Sequence, residues 1–408
     1  MAIRVLMLTQ WFDPESSFKG LVFARELQRQ GFEVEVLTGF PNYPGGKLYP
    51  GYRVRWYQKE IMGGIRVNRV PLYPSHDRSA WRRIFNYASF AASSLIYGLF
   101  FLRRPDVIYA YHPPLTVGVT AALLRVLRRI PVIYDVQDMW PDTLRVSGML
   151  NSEHALRLVG AVCRWVYRRV DHIAVLSPGF ERLLVDRGVP RENISVIPNW
   201  AAELALDTPQ GAPPERFPDA RHFRILFAGN MGKAQALDTV LDAAMLQKSH
   251  GSNVVWVLMG AGIDVDRLKR KAEAQGLDNV IFLPRVPISE VGAALQAADA
   301  LLVHLRKDPL FQITIPSKTQ AYMTIGKPIL MAVEGDAADM VRESGSGLVI
   351  ESENPQALCD AAERLAGMSM QAREAMGARA RAYYQDKLSL EKGVAQFADI
   401  IHRLAGRA

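Results

Sequence analysis

Short runs of branched, apolar residues recur along this chain, with room for one helix between most neighbours. In the first half they are IRVLML (3–8), EVEVLT (33–38), DVIYAY (106–111), PVIYDV (131–136), HIAVLS (172–177) and ISVIP (194–198). Runs this short and apolar suit strands buried on both faces of a parallel sheet. Helix-length stretches at 19–30, 115–129 and 153–169 alternate with them, which is the rhythm of a doubly wound α/β sheet. The pattern breaks at AAELALDTPQGAPPERFPDARHF (201–223), a polar, Pro-rich stretch without a period. It restarts with RILFAG (224–229), VVWVLMG (254–260), NVIFLP (279–284), ALLVHL (300–305), PILMAV (328–333) and GLVI (347–350). The chain therefore reads as two Rossmann-like domains, 1–200 and 224–385, joined by a linker at 201–223. A last helix, 386–408, is expected to pack back toward the first domain. The length of 408 residues suits two cores better than one. In such folds ligands sit at the carboxyl ends of the strands near the topological switch point, and two facing sheets leave a cleft for a substrate.

Composition narrows the function classes. The two cysteines, Cys163 and Cys359, are far apart and in no metal-ligand spacing, so neither a disulfide scaffold nor a metal site is expected. The opening MAIRVLMLTQ reads as a first strand without a signal-peptide cleavage pattern, and the expected location is the cytoplasm. Residues 1–200 hold 26 Lys/Arg against 16 Asp/Glu, whereas residues 201–408 hold 23 against 25. The basic excess thus lies wholly in the first half. That asymmetry suggests an anionic surface as partner, nucleic acid or membrane, or else a merely solvated basic face.

Two loops of the second half follow strands and open helices. In PSKTQAYMTIGKP (316–328), Pro316 suits a first helical turn, and Ser317 and Lys318 follow it. A cation is unfavourable at a helix N-terminus, unless it shares an anion with the free backbone N–H groups there. In FAGNMGKAQALDTVLDA (227–243), Gly229 and Gly232 permit close backbone approach and Lys233 supplies charge. The loop is neither a Walker A motif nor G-x-G-x-x-G. Two such loops in one domain favour a diphosphate ligand over a single carboxylate.

The order of motifs resembles the retaining GT-B glycosyltransferases of family 4. GAGIDVDRLKRKAEAQGLDNVIFLPRVPISEVGAALQAADALLVHL (260–305), GKPILMAVEGDAADMVRESGSGLVI (326–350), VLSPGFERLLVDRGVPRENISVIPN (175–199) and DVQDMWPD (135–142) carry the resemblance. It covers nearly the whole chain and is nearest to bacterial enzymes of O-antigen, capsule and colanic-acid assembly, fucosamine transferases among them. The resemblance implies two Rossmann-like domains facing across a cleft, with a UDP-sugar as donor and no further cofactor or metal. Its donor-side residues would be Gly229, Asn230, Lys233, Arg285, Pro316, Ser317 and Lys318, with Gln320 or Glu334 on the ribose. Two family glutamates just before G-K-P fall here on Ile313 and Ala321. An Arg and a Lys of the first phosphate loop fall on Asn230 and Gln235.

On the first half, Lys19 and Gly20 take the place of the family's glycine-rich loop and are expected to face the donor phosphates, or simply to start a helix. Asp135 takes the place of a His common among relatives, and Asp138 matches an acidic family position. A carboxylate at a strand end can orient a sugar or accept a proton; alternatively Asp138 caps a turn. Catalytic roles are therefore expected for Asp138, Asp135 and Lys318. Trp140 and His112 are expected to meet the acceptor, with packing as the alternative.

The stretch 84–102 has 19 positions without a charge, flanked by Arg pairs. That reaches the length of a membrane span, but its Asn, Ser and Gly residues and its place inside a domain favour an interfacial helix or a buried core helix. The reading is a glycosyltransferase peripherally bound to the inner face of the cytoplasmic membrane. It would move a sugar, an N-acetylated amino sugar, onto a polyprenyl-diphosphate-linked acceptor. A UDP-sugar epimerase and a non-catalytic glycosyltransferase-like partner are the alternatives. The chain shows no recognisable nucleic-acid-binding module.

Overall fold

The apolar runs of the first half become one sheet. The computed structural model describes residues 2–15, 17–75, 80–202 and 212–406. Its first strands are β1 (Arg4–Leu8), β2 (Glu33–Gly39), β3 (Gln58–Met62), β4 (Ile65–Val70), β5 (Val107–Tyr111), β6 (Val132–Val136), β7 (His172–Val175) and β8 (Ile194–Val196). They lie in the order β3-β4-β2-β1-β5-β6-β7-β8. Only β3 runs antiparallel, paired with β4. β5 and β6 are buried at every position, as strands covered on both faces must be. β3 alternates between half-buried and exposed positions. Its residues QKEIM form no apolar run, so the sequence did not reveal it.

The second sheet comprises β9 (Phe223–Asn230), β10 (Val254–Ala261), β11 (Val280–Pro284), β12 (Ala300–His304), β13 (Ile329–Ala332) and β14 (Gly347–Val349). Its order is β11-β10-β9-β12-β13-β14, parallel throughout. Strand order reverses between β9 and β12, and in the first sheet between β1 and β5. These switch points are where this architecture leaves room for ligands.

The chain groups into two units, Met1–Pro198 with Gly393–Ala408, and Asn199–Lys392. Residues 203–211 of the expected linker lie outside the described residues. The core of the first unit includes Phe397, whose ring meets Phe23 and Tyr109 at 5.4 Å each. The core of the second includes the fully buried Trp256, whose indole N–H donates to Gln247 Oε1 at 2.6 Å.

The helix Ala80–Phe100 buries polar and small residues beside Phe90 and exposes large apolar ones. Asn86, Ser94 and Gly98 face inward, while Trp81, Ile84, Phe85, Ile96 and Phe100 are exposed. Asn86 is held there by hydrogen bonds: its Oδ1 accepts from Gln10 Nε2 at 2.5 Å, and its Nδ2 donates to the Tyr73 carbonyl at 2.7 Å. A Cβ on Gly98 would come within 2.9 Å of Leu124, so glycine lets this helix approach the helix Leu115–Arg128. Among the described residues, no helix is long and apolar enough to cross a membrane.

Candidate functional site

In the second unit the site grows from the end of β9. Gly229, next to last in β9, has φ of 143°, a backbone conformation that L side chains rarely adopt. The helix Ser317–Ile325 stands over this strand end. Tyr322 fixes it there: the Ala228 N–H donates to the buried Tyr322 hydroxyl at 2.9 Å. At its other end the Arg381 guanidinium donates to the Ile325 carbonyl at 2.7 Å.

Lys318 lies four residues before Tyr322 and so shares its helix face. Its Nζ sits 3.5 Å from the centroid of the Phe227 ring. A Cβ on Gly229 would stand 3.2 Å from that nitrogen. The nitrogen is closed off from solvent and has no hydrogen-bond partner among the described residues. Burial pulls the Lys318 ammonium down to about 7, because an unpaired charge is poorly solvated away from water. Three more buried polar atoms nearby in sequence lack partners among the described residues: Thr319 Oγ1, His304 Nε2 and Arg306 Nε. His304 ends β12, and its Nδ1 contacts the Gln235 carbonyl at 2.7 Å. Burial holds its imidazole down at about 4, and the Lys318 charge adds to that effect.

The other expected donor residues differ in their fitness. Pro316 is the N-cap, and Ser317 is exposed in the first turn. Lys233 is exposed in a short turn after β9, and Asn230 is exposed with its amide 3.4 Å from Gln235 Oε1. Gln235 also accepts from the Gly232 N–H at 3.0 Å, so it shapes this loop from within. Glu334 follows β13, half-buried, and accepts from Gln312 Nε2 at 3.0 Å. Arg285 is exposed after β11, with β10 lying between β11 and β9. Gln320 is buried, and its side-chain amide lies against the Pro316 and Ser317 carbonyls at 3.0 and 3.2 Å, an arrangement satisfied when its nitrogen is turned toward them.

In the first unit Lys19 and Asp135 are partners of each other. Lys19 Nζ lies 2.5 Å from Asp135 Oδ2, and neither side chain is exposed at all. Tyr109 donates to the same oxygen at 2.6 Å, and Gln137 Nε2 to Oδ1 at 2.6 Å. Where the sequence suggested a phosphate contact for Lys19 and a catalytic carboxylate in Asp135, each here satisfies the other's buried charge. Gly20 lies against a side chain of its own loop. A Cβ there would come within 2.2 Å of Asp13 Oδ2, which accepts from the Leu21 N–H at 2.7 Å. The close approach is made by the chain's own carboxylate.

Asp138 remains. It follows β6, is half-buried, and its carboxylate has no hydrogen-bond partner among the described residues; burial raises its pKa. The turn it begins is closed by its main chain, with the Trp140 N–H donating to the Asp138 carbonyl at 3.0 Å. The half-buried Trp140 meets His112 edge-to-face at 5.5 Å. His112 is buried, which drives its imidazole down to about 3 and keeps it neutral. The structure thus brings His112 to Trp140 and leaves Asp138 available as an acceptor of protons or hydrogen bonds.

Comparison with known proteins places the chain among glycosyltransferases. Residues 21–200 match the family described as glycosyl transferase 4-like domain, and residues 214–383 match glycosyl transferases group 1. The chain is 28% identical over 319 residues to WcaI of Escherichia coli K12, covering 76% of this chain and 77% of that protein. The name of WcaI assigns it to colanic acid biosynthesis as a glycosyl transferase. WbjE of Pseudomonas aeruginosa, named as a glycosyltransferase, is 27% identical over 300 residues, covering 71% of this chain and 74% of its own. Among solved structures, HepE of Anabaena in complex with UDP and glucose superposes with a TM-score of 0.69 at 16% identity, over 98% of this chain and 99% of that one.

Proposed function

This chain is a glycosyltransferase of the GT-B fold, and on that premise we propose that it transfers a sugar from a UDP-sugar to a polyprenyl-diphosphate-linked acceptor in bacterial surface-polysaccharide assembly. The observation that carries the donor half is the Lys318 ammonium, buried and without a hydrogen-bond partner among the described residues, in the first turn of Ser317–Ile325. A buried cation at a helix N-terminus is doubly unfavourable until an anion arrives. A diphosphate supplies that anion, and the first-turn N–H groups and the exposed Lys233 share it. The UDP in the HepE complex supports this class of donor, and the naming of WcaI supports the polysaccharide setting.

Transfer is proposed to retain the anomeric configuration. The bond from the anomeric carbon to the diphosphate oxygen breaks, and the acceptor hydroxyl oxygen bonds to the same face. The leaving diphosphate takes up the hydroxyl proton, and Lys318 stabilises its developing charge. Asp138 orients the acceptor hydroxyl. In this reading no resident cofactor or metal takes part, and the donor sugar is an N-acetylated amino sugar. The enzyme works at the inner face of the cytoplasmic membrane, held peripherally by the helix Ala80–Phe100 and its flanking arginines.

Ile313 and Ala321, where the family resemblance implies glutamates, favour a second reading: a glycosyltransferase-like partner without turnover. Labelled UDP-N-acetylhexosamine incubated with membranes separates the two. Butanol-extractable label above a no-enzyme control, lost in Lys318→Met, supports transfer. UDP affinity that Lys318→Met leaves unchanged in calorimetry sinks the donor site.

A further inference from the structure

We infer that an apolar groove along the helix Ala80–Phe100 takes the isoprenoid chain of the acceptor, an inference that rests on the acceptor being lipid-linked. The groove encloses about 840 Å3, within the range of small-molecule sites. The helix contributes Ser89, Ala92, Ser93, Ile96 and Tyr97. The facing wall is Trp56 and Tyr57 with Val70, Pro71 and Leu72. Tyr57 stacks on Tyr97 at 5.3 Å, and Tyr97 on Phe101 at 6.1 Å, so a chain of stacked rings joins the facing wall to the helix.

The helix is built to leave this side open. Its polar residues are spent inward or toward the wall: Ser93 donates to the Pro71 carbonyl at 2.6 Å, and the Tyr73 N–H donates to Ser89 at 2.8 Å. Apart from Arg82, the outward residues are apolar, and Trp81, Ile84, Phe85, Ile96 and Phe100 among them are large, unlike those of an ordinary surface helix. Exposed apolar area of this extent marks a binding surface. A flat bilayer needs only the convex part of that face. A recess walled by stacked rings fits one flexible, methyl-branched chain inserted lengthwise.

Charge and direction agree with a phosphorylated lipid. Positions 78–105 contain no Asp or Glu, whereas Arg82, Arg83, Arg103 and Arg104 flank the apolar stretch. Asn86 and Ser89 join this helix to Gln10 and Tyr73, which follow β1 and β4 at the carboxyl edge of the sheet. That is also the edge on which Asp138 follows β6. The groove then runs from Ser89 to Phe101, roughly 18 Å at 1.5 Å per residue. The sugar-diphosphate head would lie at the Ser89 end and the hydrocarbon toward Phe101.

The test uses the full chain with saturating UDP, so that phosphate cannot report from the donor site. Geranylgeranyl monophosphate and straight-chain hexadecyl phosphate are titrated against tryptophan fluorescence. The wild type is expected to favour the branched probe by about tenfold, and Ala92→Trp, which fills the groove from an exposed position, to lose about tenfold in affinity for it. UDP affinity within about twofold of wild type shows that this variant is folded. The milder Ile96→Gln should lose part of the affinity. Equal affinity for both probes assigns the groove to acyl chains and overturns the inference, as does unchanged affinity in Ala92→Trp. Transfer into butanol-extractable lipid is scored separately, so the groove can fall while the lipid-linked acceptor stands.

Discussion

Lys318 Nζ lies 3.5 Å from the centre of the Phe227 ring, and that ring is the only partner the structure gives it among the described residues. An aromatic face returns about 0.5–2 kcal/mol to a cation. That is less than an ammonium loses on leaving water, so the residue holds its proton weakly until an anion binds.

The pH dependence follows from this. Folding lowers the Lys318 pKa from 10.5 to about 7. Its contribution to stability is therefore complete above the unfolded value and is lost as the pH falls toward 7. Between pH 10 and pH 7 the ligand-free wild type should lose stability relative to Lys318→Met, measured by thermal melts. A bound diphosphate restores the proton, so UDP binding at pH 8 should take up about 0.5–1 proton. Calorimetry in two buffers of different ionisation enthalpy measures this uptake. No uptake, or equal uptake in Lys318→Met, rules out the contact.

Asp138→Asn should lower turnover by roughly a hundredfold or more while leaving UDP affinity within about twofold. Burial raises the Asp138 pKa above the ordinary 3.8. If the carboxylate form is required, kcat/KM should fall as the pH drops through a value above that figure. Full activity in the Asn variant removes Asp138 from the mechanism.

The Lys19–Asp135 pair makes a stability prediction. Removing one partner of a buried pair leaves a bare charge and costs about 3–5 kcal/mol. Lys19→Met should show a loss of that size in urea unfolding. Adding Asp135→Leu should recover much of it, because no charge is then left inside. An undiminished loss in the double variant means that packing, not charge, sets the cost.

Membrane attachment predicts salt-sensitive binding to anionic vesicles. Each exposed basic residue near such a surface contributes about 1 kcal/mol, and salt screens it. Changing Arg82, Arg83, Arg103 and Arg104 to Gln should reduce vesicle binding strongly at low salt and little at high salt. The apolar face supplies the remainder. Equal losses at both salt concentrations would contradict this division.

The strands were legible because burial on both faces writes itself as unbroken apolar runs, as in VIYAY of β5 and VVWVLM of β10. β3 was not, because an edge strand half open to solvent carries only alternation. Lys318 was legible from its misplacement at a helix start. The Tyr322 hydroxyl that fixes it was missed, though its i+4 spacing was a usable signal. The pairing of Lys19 with Asp135 spans 116 positions, and no local pattern reports a contact of that range. Gln320 shows the same limit: its type suits a ribose, but only the fold shows that its amide faces its own helix.

The helix Ser317–Ile325 is finished at one end and unfinished at the other. Arg381 meets its carboxyl terminus with the charge that end prefers, whereas Lys318 meets its amino terminus with the wrong one. Such a segment is an incomplete circuit, which a bound nucleotide would close. Occupancy should therefore be felt along the whole segment as slower amide exchange, reaching β9 through the Tyr322–Ala228 bond. On the proposed donor site, ligand and fold share one electrostatic ledger, so selection for binding a nucleotide would also be selection for how this helix is held.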